Sequence, residues 1–260
     1  MDLNFSGKTA LVAGGSSGIG LATAEILLRE GCGRVLIASR SAEKLRAAAE
    51  ALRRSTGRAV ETVACDATDP DQVAGLIAGL GEAPLHILVS AFGGSRRSSF
   101  EALADADWLA NYELNLLGTV RLVRAALPRL RAAGAARVVL LGATSARQPT
   151  EHQVVSNVHK AGLLALTKTL SNELAPEIAV NCVCPGRVLT PLAEERLRQR
   201  AMEKGVSLEA IIAETAATIP LGRMGRAEEA ARMVAFLASD AASYVTGQSI
   251  LVDGGLGRAV

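Results

Sequence analysis

Seven short apolar runs alternate with longer amphipathic segments along the chain, and that rhythm restricts its fold more than any other feature. The runs are Thr9–Val12, Arg34–Ala38, Val60–Ala64, His86–Val89, Arg137–Leu141, Ala179–Val183 and Ser249–Val252. Between them Ile19–Glu30, Ala42–Arg54, Gln72–Leu80, Asp105–Ala132, Val155–Leu174 and Ala227–Ala238 carry apolar residues at helical spacing. A strand that is apolar on both faces must be covered on both, which crossover helices achieve. The prediction is an α/β protein: a doubly wound sheet of seven mainly parallel strands with helices on both faces. At 260 residues the chain fits a single domain, 1–260, with no repeat or low-complexity linker. The rhythm breaks over about 190–223, which holds one charged helical segment and a second around Leu208–Thr218. That stretch reads as an inserted substrate loop.

In such sheets ligands bind beyond the carboxyl ends of the strands. Gly, Pro and Ser collect there at Gly14–Gly20, Gly93–Ser99, Gly142–Pro149 and Pro185–Pro191. The first run leads directly into Gly14-Gly15-Ser16-Ser17-Gly18-Ile19-Gly20 and then a helix. Glycines let backbone approach a phosphate closely, and a helix N-terminus offers N–H groups and partial positive charge. The spacing departs from the simple G-x-G-x-x-G fingerprint, and a tight strand-to-helix turn also needs glycine. On its own the motif allows both readings.

Composition narrows the partners. Basic and acidic residues nearly cancel, 28 against 26, for a formal charge of +2. Beyond Arg53-Arg54 and Arg96-Arg97 the basic residues do not cluster, so nucleic acid is not an expected partner. Aromatics make up 3% of the chain while 49% is hydrophobic, so the core must be aliphatic. Cys182 and Cys184 stand two apart on one strand and so point the same way, but no Cys/His pair with metal-ligand spacing accompanies them. With Cys32 and Cys65 they read as small buried residues in a reducing compartment. Met1-Asp2-Leu3-Asn4 shows no leader pattern, and no apolar stretch is long enough to span a bilayer. The expectation is a soluble cytoplasmic protein with neither a metal nor a membrane partner.

Taken in order, several motifs resemble those of the short-chain dehydrogenase/reductase family. They are Gly14-x-x-x-Gly18-x-Gly20, Asp66 after the third run, Asn115 in a long helical segment, and Pro185-Gly186 followed by Thr190. Tyr244-Val245-Thr246-Gly247-Gln248 and Val252-Asp253-Gly254-Gly255 complete the set, so the resemblance spans about Phe5 to Gly255. The chain looks most similar to 3-oxoacyl-carrier-protein-reductase-like members. This implies a Rossmann-type sheet and a dinucleotide held at its pyrophosphate by Gly14, Ser16, Ser17, Gly18, Ile19 and Gly20. It further implies Asp66 and Ala67 at the adenine, Lys160 at the nicotinamide ribose, and Pro185, Gly186 and Thr190 on the nicotinamide side. A homotetramer is implied too, joined by the helices that carry Asn115 and Lys160 and by the C-terminal strand. The end of the second strand selects the cofactor, and Ala38-Ser39-Arg40 has no acid there to grip ribose hydroxyls. Arg40 can form charge-assisted hydrogen bonds to a 2′-phosphate, which favours NADP over NAD. A solvated surface arginine is the plain alternative.

The same resemblance implies catalytic Asn, Ser, Tyr and Lys, with Tyr and Lys one helical turn apart. Asn115 and Lys160 match. Ser156 stands where the tyrosine is expected, and Ala143 where the serine is, followed by Thr144 and Ser145. A small register shift brings Thr144 or Ser145 into the serine's role. The chain thus resembles an atypical branch lacking the tyrosine. A phenol titrates near pH 10, whereas an aliphatic hydroxyl is a far weaker acid, and the serine oxygen falls roughly 4 Å short of the phenol's. His159 and His152 are candidate stand-ins, though such histidines are more often ordinary packing or surface residues, and Tyr112, one helical turn before Asn115, is a weaker candidate. After the fourth run, Ser90-Ala91-Phe92-Gly93 occupies the place of the family's Asn-Asn-Ala-Gly.

Two functions stay open. One is an NADP(H)-dependent oxidoreductase acting on a small carbonyl or alcohol of unknown identity, with a modified catalytic set. The other is a catalytically silent dinucleotide-binding sensor or partner subunit. A lyase resembling halohydrin dehalogenases would lose the glycine turn, which this chain keeps.

Overall fold

The structure is a computed structural model that describes residues 3–94 and 97–258. Met1, Asp2, Ser95 and Arg96, which entered the sequence readings, lie outside those residues. Seven strands form one sheet: β1 (Thr9–Ala13), β2 (Arg34–Ser39), β3 (Glu61–Ala64), β4 (Ile87–Ser90), β5 (Ala136–Leu141), β6 (Ile178–Pro185) and β9 (Ser249–Val252). Their order is β3-β2-β1-β4-β5-β6-β9 and every pairing is parallel. The doubly wound sheet expected from the apolar runs is therefore present, and wholly parallel among the described residues. Strand order runs one way from β1 to β3 and the other from β4 onward. A crevice opens at that switch, beyond the strand ends.

Alternation within each strand divides the core in two. Leu11, Leu36, Leu88, Val138 and Leu140 face one side, against α3 (Pro70–Ala78), α5 (Gly118–Ala132) and α6 (Val154–Glu173) through Leu76, Leu122 and Leu163. Val12, Ile37, Val89 and Val139 face the other, against α1 (Gly18–Arg29), α2 (Ala42–Thr56) and α9 (Ala227–Ala238) through Leu27, Leu45 and Val234. Each such fully buried aliphatic side chain contributes about 1.5–3 kcal/mol. The core is aliphatic, as the composition requires, with Phe5 the aromatic among its largest fully buried side chains.

Two departures from the sequence reading bear on the site. Asp105–Ala132 is not one α-helix: α4 (Asp105–Tyr112) passes through a π turn at Glu113–Leu117 into α5. A π turn holds an extra residue, rotates the helix beyond it, and is frequent at functional sites; Asn115 lies inside it. The second is a small parallel pair, β7 (Val188–Leu189) with β8 (Gly225–Arg226), that brackets the stretch where the rhythm breaks. The stretch that breaks the rhythm holds α7 (Pro191–Lys204) and α8 (Leu208–Ala216). Thr190 starts α7, its Oγ1 accepting from the Ala193 N–H at 3.2 Å, with Pro191 at the first helical position. No helix among the described residues is long and apolar enough to cross a membrane.

Candidate functional site

A continuous cleft of about 720 Å³ runs over the carboxyl ends of the central strands. It gathers Gly14, Ser16, Ser17, Gly18, Ile19, Arg40, Asp66, Ala67, Lys160, Pro185, Gly186 and Thr190, which is every residue expected around the dinucleotide except Gly20. Gly20 serves the turn from behind: a Cβ there would lie 2.2 Å from the Gly14 carbonyl oxygen, so its bare backbone lets α1 pack onto the turn. Gly14 has φ +85°, and a Cβ would meet the Ala91 carbonyl carbon at 2.6 Å. Its N–H donates to the Ala38 oxygen at 2.7 Å and fastens the turn to β2. Ser17, which precedes α1, makes no side-chain cap, so the first-turn N–H groups remain available to an anion.

At the end of β2 the Ser39 hydroxyl is buried and has no hydrogen-bond partner within the protein. Such a group costs free energy until something bonds it. Arg40, Ser41 and Lys44 line the cleft beside it. Lys44 was not anticipated from sequence, although it sits one helical turn beyond Arg40 and only three residues into the run that Ser41 caps at 3.2 Å. An orphan hydroxyl with two cations fits a phosphorylated ribose. Asp66 is fixed from both sides: its Oδ1 accepts from the Thr68 N–H at 2.9 Å and from the Thr68 hydroxyl at 2.8 Å, while its own N–H donates to Gln72 at 2.9 Å.

The other end of the cleft carries Lys160, Ser156, Ala143, Ser145 and Gln153. Lys160 is buried, and its Nζ donates to the Leu141 carbonyl oxygen at 2.8 Å. Burial pulls its pKa below the usual lysine range, and the nearby Cys182 and Cys184 thiols act in the opposite sense. Those thiols are buried with their Sγ atoms 3.8 Å apart, side by side as their spacing requires. Burial also pushes the remote Cys32 thiol up to about 11, which makes it inert rather than reactive.

Of the two hydroxyls offered as replacements for the missing serine, only one faces the cleft. Ser145 lines it, whereas Thr144 turns away to donate to the Pro185 carbonyl at 3.2 Å, with Asp253 Oδ2 at 3.4 Å. Asn115 stands just behind the lining. Its Oδ1 accepts from the Gly94 N–H at 3.1 Å, and its Nδ2 donates to the Gly94 and Asn111 carbonyls at 2.9 and 3.2 Å. Gly93 fills the gap between Asn115 and Lys160; a Cβ there would be 2.8 Å from Asn115 Oδ1 and 3.0 Å from Lys160 Nζ.

The histidines do not enter the cleft. His159 is buried against α4, its Nδ1 2.9 Å from Asn111 Oδ1 and its ring centroid 6.0 Å from that of Trp108 and 5.7 Å from that of Tyr112. Burial lowers its pKa. Three residues on a helix leave it about 60° round from Ser156, which is enough to face the neighbouring helix instead. His152 is exposed in the preceding loop at φ +59°. Phe92, the bulky residue after β4, lines the cleft and packs toward the core, and Ser90 and Thr119 place their hydroxyls 2.9 Å apart beneath it. Gln153, Val188, Leu192, Glu195 and Arg196 also line the cleft and were missed from sequence. Leu192, Glu195 and Arg196 belong to α7, where they look like an ordinary solvated face.

A family profile described as Enoyl-(Acyl carrier protein) reductase matches residues 13–257. The 3-oxoacyl-acyl-carrier-protein reductase of Thermotoga maritima is 32% identical over 257 residues, covering 98% of this chain and 99% of its own. The crystal structure of L-sorbose reductase from Gluconobacter frateurii, complexed with NADPH and L-sorbose, has a TM-score of 0.95 at 32% identity over 100% of both chains. The NADPH-bound structure of a short chain oxidoreductase from Pseudomonas aeruginosa PAO1, described as containing an atypical catalytic center, has a TM-score of 0.88 at 36% identity, covering 97% of this chain and 98% of that one.

Proposed function

That this chain belongs to the short-chain dehydrogenase/reductase family is the premise from which we propose that it is an NADPH-dependent reductase of a small carbonyl compound. Its catalytic set keeps Lys160 and Asn115 and carries Ser156 and Ala143 in place of the usual Tyr and Ser. One observation carries the reading: a single uninterrupted cleft joins Ser39, Arg40 and Lys44 at one end to Ser156 and Lys160 at the other. The Pseudomonas aeruginosa neighbour, NADPH-bound and described as containing an atypical catalytic center, supports retention of the cofactor by a chain so altered.

Within this reading Ser39, Arg40 and Lys44 hold the 2′-phosphate, and the backbone of the Gly14–Ile19 turn holds the pyrophosphate. Asp66 and Ala67 border the adenine; Pro185, Gly186, Thr190 and Lys160 hold the nicotinamide half. When bound, NADPH supplies the hydride that the substrate carbon accepts. Ser145 donates a hydrogen bond to the carbonyl oxygen, and Ser156, too short to reach that oxygen, holds a water between it and the proton on Lys160 Nζ. Asn115 positions Lys160 by fixing Gly93-Gly94 against it. The 190–223 insertion covers the substrate end of one domain, and exposed Leu109, Tyr112 and Val158 on α4 and α6 support assembly into a homotetramer.

The missing phenol is the observation that favours a silent sensor or partner subunit, and one experiment separates the two. Purified protein is titrated with NADPH by calorimetry and then assayed for NADPH oxidation against a carbonyl panel. Binding with turnover supports the reductase. Binding without turnover, with activity appearing in the S156Y/A143S double variant, establishes the silent form. Failure to bind either nucleotide removes both.

A further inference from the structure

An ion pair spans the π turn, and one of its members also reaches the loop that carries Asp66. Glu113 opens the turn, and Arg121 stands eight residues on, in α5. Eight residues of unbroken α-helix would leave the two side chains about 80° apart around the axis. The extra residue looped into the π turn takes up one step, so they come to within about 20° of each other, on one face. Arg121 uses this alignment. Its Nη1 and Nη2 both donate to the Glu113 carboxylate, Nη2 at 3.4 Å, in a fork that fixes direction as well as charge. The pair is thus matched to the π register and not to the α register.

The same guanidinium holds the Asp66 loop. Arg121 Nη1 donates to the Thr68 carbonyl oxygen at 2.9 Å, and Thr68 is the residue whose N–H and hydroxyl fix the Asp66 carboxylate. Gly118, where α5 begins, packs bare backbone on that loop: a Cβ would lie 3.0 Å from the Ala67 carbonyl oxygen and 3.2 Å from Phe92 Cε2. Asp66, Ala67 and Phe92 line the cleft, whereas Arg121 and Glu113 stand behind it. The Arg121 side chain is only 16% exposed, so it is not an ordinary solvated cation. On the far side of the turn, Asn115 bonds Gly94 through both amide atoms, and Gly93 separates it from Lys160. One chain of contacts therefore runs from the Asp66 loop through Arg121, Glu113 and the π turn to Asn115 and Lys160. A π turn and an α turn differ by one residue of register, which makes this link an element with two discrete arrangements.

We propose that Arg121 is a positioning residue: paired with Glu113, it ties the loop bordering the adenine to the π turn, so that the adenosine end of the cofactor holds Asn115, and through it Lys160, in place. This rests on the reading of the cleft as a reductase site. Adenosine bound against Asp66 and Ala67 restrains the loop whose Thr68 carbonyl Arg121 holds, and so favours the register in which Arg121 meets Glu113. Binding at the remote end then counts in the rate of the chemical step and not only in affinity.

Splitting the cofactor tests it. Reduced nicotinamide mononucleotide supplies the hydride without an adenosine, and adenosine 2′,5′-bisphosphate fills the other end without a nicotinamide. With the most active compound of the carbonyl panel, saturating bisphosphate is expected to raise kcat with the mononucleotide by about 10-fold in the parent, inside the span usual for coupled sites. In R121M and in E113M that enhancement disappears, although calorimetry still shows the bisphosphate bound. E113M leaves the Thr68 contact in place and carries the test if R121M does not fold. An arginine that merely braces the fold would lower kcat alike with and without bisphosphate. An enhancement that survives both substitutions, or its absence from a parent that turns over, overturns the proposal. Amide hydrogen exchange reads the link without turnover. Bisphosphate is expected to slow exchange in the parent at 66–69, at Gly94 and across Glu113–Leu117, and in E113M at 66–69 alone. Slowing at both segments in the variant, or none at the turn in the parent, sinks the link. Absence of NADPH turnover with that exchange pattern intact sinks instead the reductase reading, and leaves the link standing.

Discussion

Lys160, in the middle of α6, reaches the end of β5 and donates from its Nζ to the carbonyl oxygen of Leu141 at 2.8 Å. That bond fixes an ammonium group at the cleft floor, near buried thiols and beside Gly93. Burial disfavours its charged form, so the proton is given up more readily than from a surface lysine. Carbonyl reduction needs that proton. The rate is therefore expected to fall as pH rises through a value below the ordinary lysine pKa of about 10.4. Lys160→Met removes this limb and lowers kcat by about 10²-fold or more, the usual scale for a proton-transfer group. A pH–rate profile that is flat in the parent enzyme, or unchanged in the variant, would place the proton source elsewhere.

Restoring the phenol is the converse test. A tyrosine at 156 extends roughly 4 Å farther from the helix than serine does, into a cleft that Ser156 already lines. With Ala143→Ser supplying a second hydroxyl, NADPH oxidation should rise by about 10²–10⁴-fold over the parent, the range attributed to positioned acid catalysis. No gain in the double variant, with NADPH affinity preserved, would show that water held by Ser156 already does as well.

The apolar runs revealed the sheet because a strand buried on both faces leaves no polar position to confuse the pattern; Leu11 and Val12 point into opposite halves of the core and both are fully covered. The same periodicity could not show the π turn at Asn115, since one extra residue in a turn leaves apolar spacing almost unchanged. Nor could it separate Thr144 from Ser145. Adjacent residues share every sequence cue, and only the local 3₁₀ backbone sends one hydroxyl to Pro185 and the other into the cleft. Gly20 reads in the sequence as a phosphate contact, and what spacing alone does not reveal is how closely its backbone packs on Gly14. Lys44 and Arg196 were invisible for a different reason: a charged residue on a helix is usually solvated, and its nearness to the cleft depends on where the helix is docked.

Cofactor choice is expected to rest on Arg40 and Lys44 together. Arg40→Ala or Lys44→Ala should each weaken NADPH binding by about 10- to 100-fold, as for loss of a charge-assisted hydrogen bond. Affinity for NADH, which lacks the 2′-phosphate, should change little. Calorimetric titration with both nucleotides checks this. An equal loss for NADPH and NADH would mean that the two side chains support the turn rather than read the phosphate.

Acid stability should depend on Glu229, which holds the start of α9. Its carboxylate accepts from Arg223 at 2.7 and 2.8 Å and from the Arg226 N–H at 2.8 Å. The Arg223 guanidinium foremost, and then the Arg226 N–H, lower its pKa from 4.5 to about 2. A carboxyl whose pKa is depressed by folding binds fewer protons in the folded than in the unfolded chain, so its contribution is complete above the unfolded value and fades as pH falls toward the folded one. Glu229→Gln should therefore melt below the parent at pH 7. The gap should close as pH is lowered from about 4.5 to about 2, the two values between which the carboxyl titrates. Melting curves of both proteins across that range decide the matter. A gap that is constant with pH would mean that the amide loses packing or hydrogen-bond geometry alone, and that the charge on Glu229 contributes nothing to holding α9 against β8.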